Sequence, residues 1–211
     1  MALPAAYHAL QHSVTVEEYL KFEETAETKH EYADGKIIAM AGTSKSHNDI
    51  ALNIAFEMRN QFGDRSCHVN VSDIRVKVSP RRYRYPDVVA LCGFPEFDDL
   101  KPPCLLNPQV LVEVLSDSTE RIDLITKQTE YRRFASVTDY VLIAQDRYWV
   151  MHYTREQGGA WAAILHTEPG DILSIASIGV SMTLATIYRR VEPIIMELEA
   201  QEDEAVESNN K

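Results

Sequence analysis

One carboxylate stands inside an apolar segment of the chain. Residues 110–115 have the sequence Val-Leu-Val-Glu-Val-Leu, and a near-continuous apolar run of this length predicts a buried central strand. An ionised carboxylate at Glu113 is costly in such a strand unless it is paired with a cation or binds a metal ion. Glu113 is therefore the first candidate for chemistry.

Asp87 is the second carboxylate in an unusual position. It stands at the head of residues 85–91, where a proline leads into another apolar strand. Two carboxylates on adjacent buried strands repel each other unless a divalent cation lies between them, and all-oxygen ligands suit Mg²⁺ or Mn²⁺ better than zinc. The alternative is that both acids are structural, with Asp87 bound by a turn and Glu113 paired with Lys127 or an arginine.

Basic residues are concentrated just before Asp87. Seven of them fall between residues 59 and 84, opposed there only by Asp64 and Asp73. They are Arg59, Arg65, Arg75, Lys77, Arg81, Arg82 and Arg84. The segment at residues 81–85 interleaves arginine with tyrosine, which suits backbone phosphates and base stacking. The alternative is a solvated basic hairpin tip.

The elements that must position these residues follow from periodicity and turn signals. Thr15 and Glu18 form a capping-box pattern, which predicts a helix from residue 16 to about residue 29. Asp34-Gly35 predicts a hairpin within residues 30–41. Helices are also predicted at 46–62 and 118–134, and strands at 67–71, 74–78, 85–91, 110–115, 139–144, 148–153 and 161–165. This order predicts an α/β or α+β domain with one central mixed β-sheet flanked by helices and an extra C-terminal β-meander.

Composition bounds the possible functions. The chain has 211 residues, of which 45% are apolar and 25% charged, so a wholly disordered or collagen-like chain is excluded. We expect a flexible leader at residues 1–13, a single domain at 14–196 and an acidic disordered tail at 197–211. The formal net charge of -11 argues against coating nucleic acid through bulk charge. Binding to DNA therefore requires a local basic patch or a metal ion.

The cysteines and the N-terminus indicate a compartment. Cys67, Cys92 and Cys104 form no C-x-x-C pair and are odd in number, which argues against a disulfide framework or a zinc site and favours a reducing compartment. The N-terminus does not have the pattern of a signal peptide, and no apolar stretch approaches the length of a membrane span. We therefore expect a cytoplasmic protein without membrane contact.

The candidate residues belong to an ordered set of motifs. The set resembles the Uma-type restriction endonuclease-like family of the PD-(D/E)XK nuclease superfamily, over roughly residues 14–192. The Pro-Asp pair alone has little specificity, whereas the ordered set is fairly specific. The motifs are Glu31-Tyr32-x-Asp34-Gly35-Lys36, His47 at a helix start, Pro86-Asp87, Pro108-x-x-Leu111-Val112-Glu113-Val114-Leu115-Ser116, Asp123-x-x-x-Lys127-x-x-x-Tyr131 and Val137-x-Asp139-Tyr140-Val141-Leu142.

The resemblance implies a restriction-endonuclease-like core and a metal-dependent endonuclease that hydrolyses DNA. The implied cofactor is Mg²⁺, for which Mn²⁺ can substitute, and one or two ions are both compatible with the ligands. Asp87, Glu113 and Glu31 are the implied metal ligands and, with a lysine, the implied catalytic residues. Without the resemblance, Glu31 is equally well explained as a solvated charge at a helix end.

The catalytic lysine departs from the general superfamily pattern. The position two residues after Glu113, where the superfamily has lysine, is Leu115 in this chain. The resemblance implies that in this branch of the superfamily the lysine lies on the following helix instead. In this chain that lysine is Lys127. Lys127 would orient the attacking water or stabilise the developing charge. The alternative is a surface ion pair with Asp123, one helical turn away.

Substrate contacts are assigned to one histidine and the basic segment. His47 would contact a phosphate or shuttle a proton, although a capping or surface histidine is the ordinary case. Arg75, Arg82 and Arg84 would form a basic ridge that feeds DNA to the carboxylates.

The assembly and the function class each have alternatives. Nucleases of this kind often act as homodimers, and the apolar strands around residues 148–151 and 161 would supply an interface, although core packing explains them as well. The alternative to an enzyme is a non-catalytic protein that uses the nuclease fold to bind protein or nucleic acid. A glycosidase dyad is a third interpretation, disfavoured because the sequence has no aromatic-rich sugar cleft.

Overall fold

The first helix begins where the sequence predicted it. The computed structural model describes residues 13–40, 42–116 and 122–193. Helix α1 (Val16–Thr25) starts with a complete capping box, in which the Glu18 amide donates to Thr15 and the Thr15 amide donates to the Glu18 carboxylate. The helix buries Tyr19 and Glu23, so its inner face contributes both an aromatic ring and a carboxylate to the interior.

A six-stranded mixed sheet forms the centre of the molecule. Its strands are β3 (Cys67–Val71), β6 (Val88–Cys92), β8 (Val110–Leu115), β9 (Asp139–Ala144), β10 (Val150–Arg155) and β11 (Trp161–His166). Their order is β11-β10-β9-β8-β6-β3, and only the β8–β9 pair within the sheet is parallel. All six residues of β8 are buried, as the apolar run predicted.

Helices and a small hairpin cover the two faces of this sheet. Helix α2 (Lys45–Phe62) packs on one face together with hairpin β12 (Ile172–Ile175) and β13 (Val180–Thr183) and the short helix α4 (Leu184–Ile187). The opposite face carries Leu111, Leu115, Tyr140 and Leu142. There the chain forms a π-helix (Ile122–Lys127) that continues into α3 (Gln128–Arg132).

A second, five-stranded sheet differs from the prediction of a single mixed sheet. Its strands are β1 (His30–Ala33), β2 (Lys36–Ala39), β4 (Arg75–Ser79), β5 (Arg82–Arg84) and β7 (Cys104–Leu105). Their order is β2-β1-β5-β4-β7, with β4 and β7 parallel. These short strands pack around three stacked or tilted tyrosines, Tyr19, Tyr32 and Tyr83.

The Asp34-Gly35 hairpin is confirmed. Both turn residues have positive φ, 47° and 96°, and strands β1 and β2 pair on either side of them. Residues 118–121 of the helix predicted at 118–134 lie outside the described residues; from Ile122 to Lys127 the chain is a π-helix, and it becomes α-helical only at Gln128. The mixed α+β class is confirmed.

The cysteines contradict the sequence expectation. Strand β3 pairs with β6 so that Cys67 lies directly opposite Cys92, and their sulfurs form a disulfide bond. Cys104 is free and buried. The two cysteines are 25 residues apart in the sequence, and only the register of the two strands brings them together. The spacing of the cysteines in the sequence therefore did not reveal the bond.

The predicted leader and tail lie outside the described residues, except for Ser13. Within the described ranges, no helix is both long and apolar enough to cross a membrane.

Candidate active site

Asp87 and Glu113 come together on two adjacent interior strands of the central sheet, with Asp87 directly before β6 and Glu113 within β8. Val88 pairs with Val112 across the antiparallel strands β6 and β8. Asp87, one residue before Val88, is therefore a neighbour of Glu113, one residue after Val112. Glu113 is only 3% exposed and Asp87 only 7%. Because Val112 and Val114 point into the α2 core, Glu113 points to the opposite face, beneath the π-helix.

Lys127 is the centre of the site. Its Nζ lies 3.0 Å from Oε1 of Glu113, 3.2 Å from Oε1 of Glu31 and 3.0 Å from Oδ1 of Asp123. Lys127 and Asp123 are both buried, so the surface ion pair considered above is wrong. One ammonium group therefore bridges three carboxylates that come from β1, β8 and the π-helix.

A second layer of side chains holds these carboxylates in place. The Tyr131 hydroxyl donates to the same Glu113 oxygen at 2.9 Å, from one helical turn after Lys127. Arg84 donates to Oε2 of Glu31 at 2.8 Å, and its remaining nitrogens bind Glu130 at 2.9 Å. Glu31 thus has a cation on each of its oxygens.

Asp87 is held by the backbone of β8 and by the first turn of helix α2. Its Oδ2 accepts from the Val114 amide at 2.7 Å and lies 3.2 Å from Nε2 of His47. His47 is buried in the first turn of α2, where its amide donates to the N-cap residue Ser44 at 3.1 Å. The structure therefore places His47 inside the site, against a carboxylate, rather than on the surface.

The site holds more negative charge than its cations offset. Burial raises the pKa of Glu113 well above its usual range, and the carboxylates of Asp123, Asp87 and Glu31 act in the same direction against Lys127. Burial alone would lower the pKa of Lys127, but its three carboxylates outweigh burial and raise it. The pKa of Glu31 is lowered, because Lys127 and Arg84 together overcome the effect of burial.

The predicted basic ridge is wrong for two of its three arginines. Arg75 is fully buried, donates from Nε to Sγ of Cys104 at 3.0 Å, and lies over the rings of Tyr19 and Tyr83. Arg84 is 2% exposed and serves the carboxylates as described above. Arg82 keeps partial exposure but pairs with Asp34 and Glu130. Arg84 thus neutralises buried acids, whereas Arg75 is held by a thiol and two aromatic rings and Arg82 pairs with one exposed and one buried acid.

The donor set fits a divalent cation by chemistry, although no closed cage is present. Across residues 13–40, 42–116 and 122–193, no three acidic, histidine or cysteine side chains are arranged as a ready-made metal site. The carboxylate oxygens of Asp87 and Glu113 are nevertheless the hard ligands that Mg²⁺ and Mn²⁺ take, and the excess of buried carboxylate charge favours a cation.

Comparisons with known proteins agree with the motifs. The model of the Uma2 family, described as "Putative restriction endonuclease", matches residues 16–186. The chain belongs to the Uma2 family. Two uncharacterized proteins of Synechocystis sp. are 35% and 36% identical to it, over 82% and 70% of this chain and 90% and 84% of their own lengths.

A solved structure shares the fold of this Uma2 protein. It is the crystal structure of "a putative nuclease belonging to DUF820" from Anabaena variabilis, with a TM-score of 0.68 and 17% identity over 83% of this chain and 97% of that one. At this identity the match shows the fold alone, and the fold is nuclease-like.

The sequence did not lead us to predict a functional role for three residues of the site, Asp123, Tyr131 and Glu130. Asp123 and Tyr131 flank Lys127 at intervals of four residues, a spacing that places all three on one side of a helix. That spacing was visible in the sequence. Glu130 had no comparable signal, because only the tertiary structure brings it to Arg84.

Proposed function

We propose that this Uma2 protein is a Mg²⁺-dependent endodeoxyribonuclease that hydrolyses DNA phosphodiester bonds, with Asp87 and Glu113 as the ligands of the ion. The observation that carries the proposal is the contact of the Lys127 ammonium with Glu113 inside an enclosed group of carboxylates. A lysine, one acid on a strand and one acid directly before a strand are the parts that the resemblance to the nuclease family implies. Glu31 is proposed as a third ligand, which would exchange its contact with Lys127 for the ion.

The remaining side chains have roles that follow from their contacts. Mg²⁺, when bound, supplies a Lewis acid and lowers the pKa of its water. Lys127, which contacts Glu113, would orient the attacking water or stabilise negative charge on the phosphoryl oxygens. His47 and Tyr131 hold Asp87 and Glu113 in position.

Cleavage of supercoiled plasmid tests the proposal directly. The wild-type chain should nick or linearise plasmid with Mg²⁺ or Mn²⁺ and lose this activity in excess EDTA. Asp87→Asn and Glu113→Gln should each lose it, while Glu57→Gln, on the opposite face of the sheet, should retain it. Equal nicking by all four proteins would show that the activity belongs to a contaminant and would overturn the proposal.

A non-catalytic DNA- or protein-binding role is the second candidate. The observation in its favour is that Lys127 already bridges three carboxylates where an ion would act. On this hypothesis, Mg²⁺ does not bind, and calorimetric titration of the wild-type chain with Mg²⁺ or Mn²⁺ gives no heat of binding. A binding heat that disappears in Asp87→Asn would favour the enzyme.

DNA is the proposed partner, and a homodimer is the proposed assembly. Tyr148 packs against Tyr188, and Trp149, Met151 and Trp161 are half-buried against the face of the central sheet that carries Leu111 and Tyr140. Core packing therefore accounts for part of the predicted interface. Light scattering in solution gives the mass that decides between a monomer and a dimer.

A further inference from the structure

A half-exposed aromatic surface lies on the same face of the central sheet as Glu113. Its members are Arg132, at the end of α3, Tyr153 and Arg155 on β10, and Trp161 on β11; we name it the Arg132–Trp161 surface. The guanidinium carbon of Arg132 lies 5.8 Å from the ring centre of Tyr153 and 5.4 Å from that of Trp161. That of Arg155 lies 4.8 Å from the ring centre of Trp161. Two cations and two rings are therefore interleaved.

Within the described part of the chain, no acidic side chain neutralises the two arginines of this surface. None of the ion pairs among the described residues includes Arg132 or Arg155. Arg155 instead donates to the backbone oxygens of Arg132, Phe134 and Val137 at 2.8–2.9 Å, which fixes its side chain against the end of α3. In a chain whose net charge is -11, such a patch is a local exception.

The surface is directly connected to the candidate active site. Arg132 follows Tyr131, whose hydroxyl binds Glu113. Leu111, Tyr140 and Tyr153 are opposite one another across β8, β9 and β10, so Tyr153 is two strands from β8, or roughly 10 Å. The rings of Tyr131, Tyr140 and Tyr153 are in successive contact, with centres 5.1 and 6.2 Å apart.

We infer that the Arg132–Trp161 surface binds a single-stranded stretch of the DNA substrate beside the site of cleavage. Arg132 contacts a backbone phosphate, and the half-exposed ring of Trp161 stacks on an unpaired base. Bases have a π-face whatever their sequence, and a fixed cation next to an aromatic ring is the arrangement that single-strand-binding grooves use. The inference rests on the proposed function, because it takes DNA as the ligand. On this inference Arg132 contacts the phosphate, in place of Arg75 and Arg84, which are buried.

The test measures binding separately from cleavage. A fluorescein-labelled oligonucleotide of about 12 nucleotides is titrated with the full chain in EDTA and followed by fluorescence anisotropy at several salt concentrations. The variants are Arg132→Gln and Trp161→Phe. The matched control is Arg189→Gln, because Arg189 is an exposed arginine on the α2 side, 3.6 Å from Glu57. Thermal melting of every variant establishes that it is folded.

Arg132→Gln should weaken binding about 5- to 10-fold and reduce the slope of log K against log salt by about 0.7, the value for one phosphate contact on a single strand. Quenching of tryptophan fluorescence by the oligonucleotide should fall in Trp161→Phe. Arg189→Gln should match the wild type in affinity and slope.

Three results would overturn the inference. The first is no binding of the oligonucleotide by the wild type, and the second is an unchanged salt slope in Arg132→Gln. The third is a dimer, seen by light scattering, that Trp161→Phe or Arg132→Gln dissociates. That result would assign the surface to a second copy of the chain. These results leave the proposed nuclease activity standing if plasmid cleavage still requires Asp87. Conversely, binding that depends on Arg132 without any metal-dependent cleavage would sustain this inference and remove the catalytic proposal.

Discussion

Two buried carboxylates on neighbouring strands of the central sheet have opposite surroundings. Asp139, the first residue of β9, is fully buried and lies 2.8 Å from His152 Nε2, with hydroxyl groups of Thr138, Ser177 and Thr154 donating to it. Burial alone would raise its pKa, but the bonds from His152, Ser177 and Thr138 outweigh burial and lower it. Glu113 on β8 has the raised pKa described above.

The difference lies in what surrounds each group. Asp139 has donors and no other carboxylate within hydrogen-bond distance among its described contacts, so the fold favours its ionised form. Glu113 shares one lysine with Glu31 and Asp123, so the fold leaves local negative charge in excess. A satisfied acid stabilises the structure, whereas a crowded one is poised to bind a cation.

The largest expected effect is on cleavage by Glu113→Gln. If Glu113 holds the ion, plasmid cleavage should fall on the order of 1,000-fold, or about 4 kcal/mol of transition-state stabilisation. The free energy of unfolding should change by less than about 1 kcal/mol, because glutamine fills the same space and removes a crowded charge. Cleavage rates and urea denaturation measure the two quantities. Full activity in a folded Glu113→Gln variant would contradict the proposal that Glu113 holds the ion.

Loss of the shared cation should come next in size. Lys127→Met should lower the free energy of unfolding by about 3 kcal/mol, because Glu31, Glu113 and Asp123 lose their common partner. The double variant Lys127→Met/Glu113→Gln should regain part of that loss, as a double-mutant cycle in urea would reveal. Lys45→Met is the control, since Lys45 forms an exposed pair with Asp49 and should contribute little. An equally small effect at Lys127 would contradict the charge-crowding account.

Asp139→Ala should act on stability alone. Removing this acceptor leaves the buried His152 ring and the Ser177 hydroxyl without their partner and should cost about 2 kcal/mol of unfolding free energy. Cleavage per folded molecule should be unchanged. Denaturant titration followed by a cleavage assay on the folded fraction checks both expectations, and a selective loss of cleavage would place Asp139 in the active site instead.

The smallest effect should be the pH dependence of this contribution. Because the folded-state pKa of Asp139 lies below its unfolded value, its stabilisation is present above the unfolded pKa, near 3.9, and is lost as pH falls through the lower folded pKa. The stability difference between the wild type and Asp139→Asn should therefore be constant near neutral pH and shrink in acid. Urea denaturation at a series of pH values tests this, and a difference that grows in acid would have the wrong sign.

Local patterns in the sequence predicted much of the site. The apolar run of β8 located Glu113, the Pro-Asp pair located Asp87, and the four-residue spacing placed Asp123 beside Lys127. These features depend on residues that are close in the chain or on one strand, so periodicity reveals them.

Features set by tertiary contacts were not predictable in this way. A cluster of arginines has the same sequence whether its side chains face solvent or a buried acid, and Arg84 is buried because Glu31 and Glu130 come from distant elements. The Cys67–Cys92 bond likewise depends on strand register. The second sheet was missed because its strands are short and carry no long apolar run.

The π-helix is part of the connection between the parallel strands β8 and β9, and this has a consequence for the order of folding. Lys127 and Glu113 are separated by 14 residues, whereas Glu31 meets Arg84 across 53. Closing the shorter loop costs less entropy, so Lys127, with Asp123 one helical turn away, can meet Glu113 before Glu31 arrives. The positive charge is then in place before the third carboxylate joins, which limits mutual repulsion among carboxylates during assembly.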